Sequence, residues 1–127
     1  MMLKPRETVI FAENFQALVD WYVRVLDFKV SRLVEDDYHY CNLENEAGIQ
    51  IGIADAEEMG IKPIDRKHNT VVLQFQVDDV QALFDHLVVQ GGQVAFGPSF
   101  DKEYEFWFGG FQDLEGNTIW VVDENCP

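Results

Sequence analysis

The chain is poor in the residues that carry most recognisable chemistry. It has two cysteines and three histidines among 127 residues. Cys41 and Cys126 form no metal-ligand or redox spacing, and a stapling disulfide to a residue next to the last is not expected. That usage points to a reducing, cytoplasmic setting. No apolar run is long enough to span a bilayer, and Met1 to Arg6 is too short and polar to read as a signal peptide. Basic residues are also scarce, nine against 23 acids, for a formal charge of −14. Such a field repels phosphate backbones and argues against nucleic acid as a partner. No Ser/His/Asp arrangement or phosphate-cradling glycine loop is present. Gly109-Gly110 lacks the following helix that phosphate binding requires.

What the chain does have is a repeat. Gln16-Ala17-Leu18-Val19-Asp20 returns 65 residues later as Gln81-Ala82-Leu83-Phe84-Asp85. An apolar strand precedes each copy, Thr8 to Ala12 and Val71 to Val77. Asn14 and Asp79 are each placed to cap a helix. Phe15, Leu18, Tyr22, Val25 and Leu26 then follow at helical spacing, as do Val80, Leu83, Phe84, Leu87 and Val88. Gly91-Gly92 supplies a left-handed stop for the second helix, and Asp27 stands at the equivalent stop of the first. Three extended runs follow each helix: 28–35, 38–43 and 47–54, then 93–96, 104–112 and 118–123. The chain therefore reads as an α+β domain over 1–127, built from two tandem β-α-β-β-β modules at 7–54 and 70–123. Residues 55–69 are the linker. Strand alternation sets Ile49, Ile51 and Ile53 against Gln50 and Gly52, and Val71, Leu73, Phe75 and Val77 against Val72, Gln74 and Gln76. The aliphatic sets belong under the helices, leaving a polar and aromatic face to meet water or line a cleft.

These features resemble the vicinal-oxygen-chelate superfamily, which includes glyoxalase I, extradiol dioxygenases and bleomycin-resistance proteins. The resemblance rests on Trp21-Tyr22-Val23-Arg24-Val25-Leu26-Asp27-Phe28 closing the first helix, on Gly91-Gly92, and on the turn Asp113-Leu114-Glu115-Gly116-Asn117. Asp27 and Leu114 stand where the family usually has Gly and Pro. The resemblance implies two modules whose sheets curl round a cleft, and a homodimer. It also implies four metal-ligand positions in metal-dependent members, which fall here on Glu7, Gln50, Val72 and Trp120. The repeat gives the same correspondence for the first strands, since Glu7 moved by 65 is Val72, and Gln50 is then expected to be the counterpart of Trp120 on the last strands.

Val72 has no donor atom, and the Trp120 indole N–H donates a hydrogen bond and cannot ligate. No metal, cofactor or catalytic residue is therefore expected. Glu7, Phe11, Gln50, Gln74, Trp107 and Trp120 are the expected ligand-binding residues. Their aromatic faces, amides and one carboxylate suit a flat, aromatic or cationic small molecule, such as an antibiotic, held without turnover. Glu7 is equally readable as a solvated carboxylate at a strand edge, and the parity that Tyr104 to Phe111 presents to the cleft stays open. An enzyme of the glyoxalase, lyase or dioxygenase kind with a metal held by Glu7, Gln50 and His39 is the alternative. A dimer whose cleft is filled by its own side chains is a third.

Overall fold

The computed structural model describes residues 1–127. It falls into two compact units, Met1–Ile64 and Asp65–Pro127. Unit 1 runs β1 (Thr8–Ala12), α1 (Phe15–Leu26), β2 (Lys29–Glu35), β3 (His39–Glu44) and β4 (Gln50–Asp55). Unit 2 repeats that order with β5 (Leu73–Gln76), α2 (Val80–Val89), β6 (Gln93–Asp101), β7 (Phe106–Gln112) and β8 (Thr118–Val122). Each unit holds one open four-stranded sheet, ordered β1-β4-β3-β2 and β5-β8-β7-β6. In both, the first strand pairs parallel to the last while the remaining pairs are antiparallel. The fold is α+β with two similar β-α-β-β-β modules, as the repeat predicts.

The repeat reaches down to single hydrogen bonds. Asn14 Oδ1 accepts from Ala17 N at 3.2 Å and Asp79 Oδ1 from Ala82 N at 3.0 Å, satisfying an orphan donor at each helix start. Gln16 donates to Asp20 at 2.9 Å, and Gln81 donates to Asp85 at 3.1 Å, one turn further along in each case. Asp27 takes the left-handed conformation after α1, with φ 58°. Gly91 does so after α2 with φ 76°, and Gly92 N then bonds back to Leu87 O at 2.7 Å. The helix faces are the expected ones, except that Val88 is exposed.

In unit 1 Leu18, Val19, Tyr22 and Val25 of α1 are buried with Ile10, Ala12, Cys41, Leu43, Ile51 and Ile53 of the sheet. In unit 2 Val80, Phe84 and Leu87 of α2 are buried with Phe111, Ile119 and Val121. Gly109 is needed there, because a Cβ on it would lie 2.6 Å from the Phe84 ring. Several strand bounds differ from expectation, and β4 begins at Gln50 rather than residue 47. β5 is shorter, starting at Leu73. β6 is longer, because it continues through Gly97-Pro98 to Asp101, whose carboxylate accepts from Glu103 N and Tyr104 N and closes the hairpin to β7.

Candidate functional site

Each sheet has one face under its helix and one turned away from it, and the second kind carries most of the polar and aromatic groups expected of a site. In unit 1 the face away from α1 is read from the buried residues of the other parity: Glu7, Val9 and Phe11 lie along the first strand, Tyr40 and Asn42 on β3, and Gln50 and Gly52 on β4. Glu7 sits just before β1 and Gln50 opens β4. Because Thr8 pairs with Ile51, the two lie side by side, and both line one hollow of about 360 Å³. Arg6, Ser31, Arg32 and Asn42 share that hollow.

The Glu7 carboxylate is already engaged. Tyr40 Oη donates to its Oε1 at 2.8 Å, Asn42 Nδ2 donates to the same oxygen at 3.3 Å, and Arg6 Nε stands 3.5 Å from Oε2. Hydrogen bonding, from its own backbone first and then from Tyr40, lowers the Glu7 pKa, so the group is ionised at neutral pH. Burial, with the bond to Glu7, pushes the Tyr40 phenol up to about 12 and keeps it a donor. The Tyr40 ring reaches Glu7 only because position 52 is glycine: a Cβ there would stand 2.0 Å from the Tyr40 hydroxyl oxygen.

In unit 2 the face away from α2 is aromatic. Gln74 pairs with Trp120, and Trp120 pairs with Gly110. Phe96 packs edge-on to Trp120 with ring centroids 5.8 Å apart, and lies 6.4 Å from Phe108. Gly110 makes room for that ring, since a Cβ on it would come 2.3 Å from Phe96. Gln74, Phe96, Phe108 and Trp120 line a hollow of about 210 Å³. Trp120 is 44% exposed, so its indole is held by Phe96 yet still offers surface.

Of the six expected ligand-binding residues, Glu7, Phe11 and Gln50 share one sheet face, and Gln74 and Trp120 share the corresponding face of the other unit. Trp107 is not brought to that face. It has the parity of Gly109 and Phe111, packs against Phe100 at 5.3 Å, and sits with Asp78, Asp79 and Asp123 near the start of α2. Its backbone N–H donates to the buried Asp123 carboxylate. His39 is likewise absent from the face carrying Glu7 and Gln50. It shares the parity of Cys41 and Leu43, meets Phe15 of α1 edge-on at 5.5 Å, and pairs with Glu58 at 2.5 Å. The three-residue metal set Glu7, Gln50 and His39 is therefore corrected, because alternation along β3 sends Tyr40 and Asn42 to that face instead.

Register corrects a second expectation. Comparing the parallel pairs, Leu73 corresponds to Thr8, a step of 65, but Ile119 corresponds to Ile51, a step of 68. Trp120 is thus the counterpart of Gly52, and Gln50 the counterpart of Thr118. The residue beside Trp120 is Gln74, with Val72 two positions earlier and outside β5. The four positions that metal-dependent members would use do not fit a divalent ion in this chain. Two lack a donor atom, and the one carboxylate is shared among a phenol, an amide and a guanidinium. No group of three or more His, Cys, Asp or Glu side chains is placed to hold a metal.

Tyr40, Asn42, Arg32 and Phe96 enter the site without having been singled out in the sequence. For Tyr40 and Asn42 the signal was available, since they alternate with Cys41 and Leu43. Arg32 was hidden by the register shift between Val30 and Arg32, which breaks simple alternation on β2.

Two β-α-β-β-β modules, each with an open sheet presenting a polar or aromatic face, define a duplicated α+β protein. Residues 4–121 match the Glyoxalase/Bleomycin resistance protein/Dioxygenase superfamily, and the chain belongs to it. Its fold is shared with a superfamily member from Sphaerobacter thermophilus DSM 20745 (TM-score 0.77, 17% identity, 97% of this chain and 98% of that one). It is shared also with a family enzyme from Burkholderia phytofirmans PsJN (TM-score 0.72, 18% identity, 92% and 95%). A hypothetical protein of S. aureus is similar too (TM-score 0.76, 15% identity, 97% and 95%). No curated protein matches the sequence. No helix is long and apolar enough to cross a membrane.

Proposed function

We propose that this protein binds a small organic molecule containing an aromatic ring, without a metal ion and without turning it over. The observation that carries this reading is the exposed Trp120 indole, steadied by Phe96 and flanked by the Gln74 amide. A planar ring stacks on such a surface, and the amide is free to orient it by a hydrogen bond. An aromatic antibiotic is one member of that class. The cationic half of the sequence-based expectation has less to support it, because Glu7 is already compensated by Arg6, Tyr40 and Asn42. Metal-dependent catalysis loses support because His39 lies on the other face of its sheet from Glu7 and Gln50. The resemblance also carries a homodimer into this reading, which light scattering would test directly.

Tryptophan fluorescence titrated with a panel of aromatic compounds, in the presence of EDTA, tests the proposal. Saturable quenching is expected in the wild type and is lost in Trp120→Ala. Trp107→Ala should keep it, because Trp107 stands on the other face of its sheet. A panel that shifts neither fluorescence nor melting temperature would sink the proposal.

A further inference from the structure

The hollow of unit 1 has a charge balance opposite to that of the chain. The whole protein has nine basic and 23 acidic side chains. Here two guanidinium groups, Arg6 and Arg32, face a single carboxylate, Glu7. That carboxylate takes Arg6 as its partner at 3.5 Å and fills its other oxygen with Tyr40 and Asn42. The Arg32 guanidinium makes no ion pair and no side-chain hydrogen bond. The next acid along β3, Glu44, stands opposite Lys29 in the strand register and does not line the hollow. Around the unpaired guanidinium stand the Gln50 and Asn42 amides and the Ser31 hydroxyl, which donates to Asn42 O at 3.2 Å. Ser31 and Asn42 thus already have acceptors within the protein, and the Arg32 guanidinium and the Gln50 amide are left as the donors without one.

We infer that this hollow receives the carboxylate of a small organic acid, with Arg32 as its principal partner. A guanidinium presents parallel N–H donors that match the two oxygens of a carboxylate, and a charge-assisted pair of that kind is stronger than a neutral one. The rest of the ligand has apolar surface to follow on the same face, along Val9, which is 43% exposed, and the half-buried Phe11. Arg6 and Glu7 act together, the carboxylate holding Arg6 and Asn42 at the rim so that the hollow is built before the ligand arrives. The inference rests on the reading of the protein as a small-molecule binder, concerns unit 1 alone, and adds the charge of the molecule that this face takes.

Three naphthalene probes of one shape separate the possibilities: 2-naphthoate, neutral 2-naphthylmethanol and cationic 2-naphthylmethylammonium. Binding is followed through the arginine Nε–Hε signals in 15N spectra and by calorimetry at low salt. The expected result is 2-naphthoate bound about tenfold more tightly than the neutral probe, the usual size of one charge-assisted hydrogen-bonded pair. That advantage shrinks as salt is raised, and the Arg32 signal shifts on binding. Arg32→Gln should remove the advantage while leaving the affinity for 2-naphthylmethanol unchanged, and Arg32→Lys should retain part of it. Neutral or cationic probes binding as well as naphthoate would overturn the inference while leaving the binding function standing. A preference for naphthoate that survives Arg32→Gln would also overturn it. If none of the three binds, the inference fails together with the small-molecule reading.

Discussion

Three glycines act as spaces for rings. Gly109 gives way to Phe84 on the helix side of sheet β5–β8, Gly110 to Phe96 on the opposite face, and Gly52 to Tyr40 in the other unit. Their consequences differ because their neighbours do. Phe84 is 2% exposed and has nowhere to go, so Gly109→Ala should cost about 1–3 kcal/mol as overpacking, measured by urea unfolding. Phe96 is 38% exposed and can swing aside, so Gly110→Ala should cost under about 1 kcal/mol while loosening Trp120, visible as a shift in its emission. Equal costs for the two variants would contradict this account of the paired glycines. The sequence shows two adjacent glycines in an aromatic strand. It does not show which glycine serves which face, because that depends on where β7 starts relative to its neighbours. Trp107 was unreadable for the same reason.

At the scale of the element, the two helices and their caps were legible because local hydrogen bonding sets them. Asn14→Ala and Asp79→Ala should each lower stability by about 1 kcal/mol, since each removes the acceptor for a helix-start N–H. The turn Asp113 to Asn117 was legible for a similar reason. Asp113 Oδ1 accepts from Glu115 N and Asn117 N, and Gly116 adopts φ 91°. Strand pairing was not legible, since register is a property of two segments and no single stretch encodes it. Hence the three-residue difference between the steps of the first and last strands, and the misplaced equivalence of Gln50 with Trp120.

The start of β3 adds a pH dependence. Glu58 accepts both from the His39 backbone N–H at 2.8 Å and from its ring, tying the β2–β3 hairpin to the turn after β4. The hydrogen bond to Glu58 raises the His39 pKa above 6.5, and the bonds from His39 lower the Glu58 pKa below 4.5. The histidine's contribution is complete below 6.5 and fades as pH rises through its folded pKa. The glutamate's is complete above 4.5 and fades as pH falls through its folded pKa. The pair thus stabilises most between those values. Urea midpoints of wild type and His39→Gln should differ more at pH 5.5 than at pH 8.5. A difference independent of pH would show that the pair contributes nothing.

On the scale of the whole molecule, a duplicated scaffold has diverged in the chemistry of its two copies. One sheet face carries Arg6, Glu7, Arg32, Tyr40, Asn42 and Gln50, and the other carries Phe96, Phe108 and Trp120 with one amide. The positions that the resemblance assigns to a metal hold a carboxylate engaged by its neighbours, an amide, an aliphatic side chain and an indole. The residue types at those positions were legible in the sequence, because they depend on no register. The sequence concealed what stands around them, because Tyr40 and Arg32 join the site only through packing and register. The most direct test is the metal content of the protein purified without chelator. Well under one divalent ion per chain is expected, unchanged in Glu7→Gln. A stoichiometric ion that is lost in Glu7→Gln would contradict the metal-free reading.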